Sequence, residues 1–255
     1  MREEKILIQD INTVYKVIGE GRPFLILHGW GSNSDRWLKI AEQISDRGFK
    51  VLILDLPGFG KSDALQRPWN LNNYVEWVEN FIKRLNLTDF YLLGHSFGGA
   101  LAVKLAVKHP QEIKKLFLVS AACVRKKTGP KGYLKNFFAR ISKIVKLFYF
   151  LPYYGLFRKA VYKFIIRKSD YVYVEGMMKE TYLNVVSEDL SFHLPFIKIP
   201  TIIVWGSKDD ITPIEQAHFI AKQINNSKLA VVQGAGHDLN RKQPEILAEK
   251  IINNI

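Results

Sequence analysis

The feature that most constrains the fold is an alternation of short apolar runs with longer segments of helical period. Apolar runs occupy residues 24–27, 51–54, 90–93, 116–119, 201–205 and 229–232, each bounded by turn-forming residues. Helical patterns fall between most of them, at 35–48, 71–85, 100–108, 214–224 and 244–252. Runs without polar alternation predict strands buried on both faces, and intervening helices are what cover such faces. The chain therefore predicts an α/β fold with a mostly parallel central sheet and helices on both sides. Residues 4–18 read as two additional strands around Asp10-Ile11-Asn12.

The alternation breaks once. Residues 124–198 are rich in helix formers and aromatics, and predict a helical insertion after the sixth strand. The expected division is a core of 1–123 with 199–255 and an inserted cap of 124–198. Leu134, Phe137, Phe138, Ile141, Ile144, Val145 and Phe148 recur at helical spacing with lysines and arginines between them, an amphipathic helix with a basic face. Residues 125–168 hold thirteen Lys or Arg and no Asp or Glu, which accounts for the whole net charge of +13. The basic face has three readings: a solvated surface, docking to an anionic membrane, or steering of anionic substrates such as acyl groups on an acidic carrier. Nucleic acid is not expected, because no recognition motif accompanies the charge.

Gly94-His95-Ser96-Phe97-Gly98 joins a predicted strand to a predicted helix. A serine on so sharp a turn needs neighbours without bulk, which Gly94 and Gly98 provide. A serine hydroxyl also needs a base, an acid that orients the base, and donors for a developing oxyanion. His237 is the candidate base, in the loop Gly234-Ala235-Gly236-His237-Asp238. His95 adjoins the serine and is expected to point away from it. Asp209 is the candidate acid and Asp210 its rival; no acidic residue occurs from 119 to 169, so an acid one strand earlier is excluded. His28-Gly29-Trp30-Gly31 is an open turn after a central strand. The backbone N–H groups of Trp30 and Phe97 are the candidate oxyanion donors, with His28 and Gly29 shaping the turn. Trp30, Phe97, Phe137 and Phe138 are candidate substrate-binding residues.

The order Ser96, Asp209, His237 resembles the α/β-hydrolase superfamily, whose triad runs Ser, Asp or Glu, His. Four further segments carry the resemblance: Leu27 to Gly31, the D-x-P-G-x-G-x-S turn at Asp55 to Ser62, Trp205-Gly206-x-x-Asp209-x-x-x-Pro213, and Gly236-His237. It covers nearly the whole chain and implies an α/β-hydrolase fold in which the insertion is the cap. Ser96 argues against the haloalkane dehalogenase and epoxide hydrolase branches, which carry Asp there. Ring-fission carbon–carbon hydrolases often carry Asn before the serine and Met after it, where this chain has His95 and Phe97. The pattern is more similar to small serine carboxylesterases, which implies ester cleavage; the aromatics expected beside Ser96, Trp30 and Phe97, favour a compact apolar site and so short-to-medium acyl chains. Carbon–carbon bond hydrolysis and lactone hydrolysis use the same triad. A non-catalytic module of this fold, anchored through its basic cap, is the reading from another class.

No phosphate loop, metal-ligand cluster or cofactor motif is visible, so no cofactor is expected. The single cysteine, Cys123, excludes internal disulfides. With no signal peptide and no uncharged apolar run near the ~20 residues of a membrane span, a cytoplasmic location is expected.

Overall fold

The computed structural model describes residues 1–125 and 176–255. Its eight-stranded sheet has the order β1 (Arg2–Ile8), β2 (Ile11–Ile18), β4 (Phe49–Leu54), β3 (Arg22–Leu27), β5 (Phe90–His95), β6 (Ile113–Val119), β7 (Thr201–Gly206), β8 (Ser227–Val232). From β4 onward every pairing is parallel; β1 and β2 form an antiparallel hairpin, and β2 joins β4 antiparallel. The hairpin turns on Gln9 and Asp10, both at positive φ, one residue earlier than the sequence suggests.

The helices among the described residues are α1 (Leu38–Ser45), α2 (Leu71–Arg84), α3 (Phe97–Lys108), α4 (Gly176–Ser187), α5 (Ile214–Gln223), α6 (Leu239–Lys242) and α7 (Pro244–Ile252). Side chains alternate across each central strand. Leu25, Leu27, Leu52, Leu92, Leu116 and Leu118 meet the apolar faces of α2, α3 and α5. Phe24, Ile26, Val51, Ile53, Leu93 and Phe117 meet α1 and α7. Burial on both faces is why these strands carry no polar alternation. Asn70 caps α2 through reciprocal side-chain bonds with Asn73, so this helix starts where its apolar period begins. The helix expected at 35–48 is instead a 3₁₀ turn, Ser34–Trp37, leading into α1.

The sheet and its helices form one compact unit, Met1–Val124 with Glu175–Ile255. Residues 176–198, expected to lie in the insertion, fall within this unit. Thr181, Val185, Leu190, Leu194 and Ile197 are all buried there. The hydroxyl of Thr181 accepts from Trp69 N at 3.1 Å, and Asn184 donates to Trp69 O at 3.4 Å. Phe137, Phe138 and the basic amphipathic segment lie outside the described residues. No helix among the described residues is long and apolar enough to cross a membrane.

Candidate active site

Ser96 sits between β5 and α3 with φ 50° and ψ −113°, a left-handed φ that is strained for any residue with a side chain. The glycines around it permit close approach. A Cβ on Gly94 would lie 2.3 Å from the carbonyl oxygen of Gly98, and one on Gly98 would lie 2.2 Å from that of Leu27. The start of α3 is thus pressed onto β3 and β5. Ser96 N donates to Val119 O, while Ser96 O accepts from Ala122 N, tying the turn to the end of β6.

The Ser96 hydroxyl lies 3.0 Å from His237 Nε2, and His237 Nδ1 lies 2.9 Å from Asp209 Oδ2. An ionised carboxylate only accepts, so Nδ1 carries the imidazole proton and Nε2 presents its lone pair to the hydroxyl. The structure thereby brings together the three residues named from sequence. Asp210, the rival acid, is exposed, whereas the Asp209 side chain is fully buried.

The loop after β7 holds Asp209 by every lone pair it offers. Oδ1 accepts from Ile211 N at 3.0 Å and Thr212 N at 2.8 Å; Oδ2 accepts from the Thr212 hydroxyl at 2.9 Å as well as from His237. Burial by itself raises the pKa of this carboxyl. The hydrogen bond and charge of His237, with the Thr212 backbone bond, outweigh that and hold it below the ordinary aspartate range. The Thr212 hydroxyl also lies 3.2 Å from His237 Nδ1. Thr212 is not among the site residues named from sequence; the helix that follows this loop begins at Ile214, with Pro213 in the cap position. The available signal was the Asp-x-x-Thr spacing, which lets one carboxylate take both backbone N–H groups and the hydroxyl.

The candidate donors lie in two segments next to Ser96, the Gly29–Ser32 turn and the start of α3. Ser32 N donates to Gly29 O at 3.1 Å, and Gly31, third in that turn, has φ +67°, a conformation that favours glycine. Trp30 is second in the turn. A Cβ on Gly29 would lie 3.2 Å from Ser96 Cβ, so the turn abuts the serine directly. His28, fully buried, accepts from Leu56 N at Nε2 (3.1 Å) and directs Nδ1 to Gly29 O (2.8 Å). Desolvation lowers its pKa to about 4, so it braces the turn as a neutral ring. Asp55 accepts from Ser34 N and from Lys61 N, joining the segment after the turn to the Asp55–Ser62 loop. Phe97 opens α3, where N–H groups lack intrahelical acceptors and the helix dipole is positive.

An aromatic cluster adjoins this centre. The Trp30 ring meets Phe59, Phe97 and Tyr182 edge-on at 4.9, 5.5 and 5.2 Å between centroids. Tyr182 belongs to α4, so this helix supplies part of the site's apolar surroundings. Among the described residues no group of three or more His, Cys, Asp or Glu could hold a metal ion.

Comparison with known proteins gives a consistent result. The AB hydrolase superfamily protein YisY of Bacillus subtilis is 30% identical over 234 residues, spanning 86% of each chain. Lipase 1 of Psychrobacter immobilis is 27% identical over 230 residues, 85% of this chain and 71% of the lipase. The solved esterase of Exiguobacterium antarcticum superposes with a TM-score of 0.76 at 24% identity, covering 99% of both chains. The sequence profile of the alpha/beta hydrolase fold family matches residues 22–241. With that match spanning most of its length, the chain belongs to the alpha/beta hydrolase fold family.

Proposed function

We propose that the protein is a serine hydrolase that cleaves carboxylic esters of short-to-medium acyl chains through an acyl-enzyme on Ser96. The hydrogen-bonded series Ser96–His237–Asp209, at 3.0 and 2.9 Å, carries this reading. Ser96 Oγ attacks the ester carbonyl as its proton passes to His237 Nε2. The buried Asp209 carboxylate stabilises the imidazolium that forms. Trp30 and Phe97 N–H hold the tetrahedral oxyanion. His237 then protonates the departing alkoxide, and water cleaves the acyl-enzyme by the same route in reverse. The likeness to a lipase supports ester chemistry, and the aromatic wall of Trp30, Phe59 and Tyr182 supports a compact acyl group.

Acyl-chain profiling with p-nitrophenyl esters, wild type against Ser96→Ala, tests the reading. The expected result is a maximum among short or medium chains and loss of turnover in the variant. A vinylogous diketone assayed in parallel tests carbon–carbon cleavage; faster turnover of that substrate than of every ester would reject the ester assignment.

A further inference from the structure

His95, immediately before the serine, lies outside the mechanism above, yet its surroundings are unusual for a bystander. It is 6% exposed. Its Nε2 lies 3.2 Å from the backbone carbonyl oxygen of His237. A carbonyl only accepts, so Nε2 carries the proton and Nδ1 is bare. That Nδ1 is buried without a hydrogen-bond partner, and it faces the turn of candidate oxyanion donors: a Cβ on Gly29 would lie 2.8 Å from it. The ring packs 5.1 Å from the His237 ring and 5.7 Å from the Trp37 ring, centroid to centroid. One side chain on the nucleophile strand thus touches both the base loop and the Gly29 turn.

We infer that His95 is a positioning residue: its Nε2–H holds the His237 carbonyl while its ring wedges against Gly29, fixing base loop and oxyanion turn relative to Ser96. This rests on the serine-hydrolase reading proposed above. The cost of a bare, buried Nδ1 is a reason to expect the ring to be retained for its other edge rather than for general packing. The role requires a neutral ring, since a second positive charge 5.1 Å from His237 would oppose formation of the imidazolium. Desolvation, with the His237 charge next, lowers the His95 pKa to about 3; Asp209 opposes that shift and His28 adds to it. These are the ionisable groups that act on it.

Three variants test the role. His95→Phe keeps the ring volume and removes the donor. His95→Gln places an amide N–H near the position of Nε2, and His95→Asn carries the same group one bond too short. A misplaced base costs ten- to a hundredfold in rate without changing substrate contacts. His95→Phe and His95→Asn are therefore expected to lower kcat by at least about tenfold with KM unchanged. His95→Gln is expected to recover most of that loss. The acid limb of the kcat/KM profile should move to lower pH in the Phe and Asn variants, because a loosened His237–Asp209 contact stabilises the imidazolium less. Wild-type kcat and pH profile in His95→Phe would overturn the inference, as would equal impairment of the Gln and Asn variants. If the Phe variant does not fold, the Gln–Asn pair still decides. Ser96→Ala, assayed alongside, separates the two claims: full activity there rejects the serine mechanism itself.

Discussion

Replacing Asp209 by Asn preserves the shape of the site and inverts one hydrogen bond. Oδ1 accepts two backbone N–H groups, from Ile211 and Thr212, so the oxygen of an Asn side chain must remain on that side. Its NH₂ group then takes the place of Oδ2, facing His237 Nδ1 and the Thr212 hydroxyl. An amide NH₂ only donates, and His237 Nδ1 must become the acceptor. The imidazole proton moves to Nε2 and points at Ser96 Oγ, which removes the base. In serine hydrolases such a tautomer change costs about 10⁴ in kcat. At 1.36 kcal/mol per decade this is about 5.4 kcal/mol of transition-state stabilisation. The burial of Asp209 leaves no water to restore the lost acceptor. Asp210→Asn, at an exposed carboxylate, is expected to stay within about twofold of wild type. Steady-state kinetics on p-nitrophenyl butyrate, with circular dichroism to confirm folding, measures both. If Asp209→Asn retains more than about a tenth of wild-type kcat, or if Asp210→Asn is the impaired variant, the tautomer argument fails.

Three other outcomes follow from the same contacts. Thr212→Val removes the hydroxyl bonded to Asp209 Oδ2 and should lower kcat about tenfold, with Thr212→Ser close to wild type; equal activity in both would show that the hydroxyl is not needed. Gly98→Ala puts a methyl group 2.2 Å from Leu27 O, and should destabilise the fold by about 2–4 kcal/mol in urea titrations; an unchanged midpoint would contradict the close packing described for α3. Acid should destabilise the protein well before its carboxylates titrate. His28 and His95 have folded pKa values lowered to about 4 and about 3 from 6.5, so below pH 6.5 the unfolded chain binds protons that the folded one refuses. Stability is complete above pH 6.5 and is lost as pH falls toward 4 and 3; between pH 8 and pH 5 each ring costs about 2 kcal/mol. Urea unfolding at the two pH values measures this, and equal stability at both would refute it.

Much of the architecture was legible because its strands are buried on both faces. Runs such as Leu25-Ile26-Leu27 and Leu116-Phe117-Leu118 have no polar alternation to confuse with a surface strand. Ser96, Asp209 and His237 were legible because each stands in a loop whose glycines or proline mark the geometry around it. What escaped depends on contacts between distant parts of the chain. The segment 176–198 looked like insertion because nothing local shows that Thr181 bonds the backbone of Trp69, 112 positions away. His95 was read only as a neighbour of the serine; its partner is a backbone carbonyl 142 positions on, which no side-chain pattern records. Thr212 is the exception: its bonds to Asp209 span only three positions, and the Asp-x-x-Thr spacing was a local signal left unused.

The central claim is that Ser96 becomes acylated, and covalent trapping tests it most directly. The protein is incubated with a fluorophosphonate ester, and intact and peptide masses are recorded. One adduct per chain is expected, on the peptide containing Gly94-His95-Ser96-Phe97-Gly98, with parallel loss of esterase activity and no adduct in Ser96→Ala. Labelling of another residue, or full ester turnover by a chain whose Ser96 is blocked, would contradict the account.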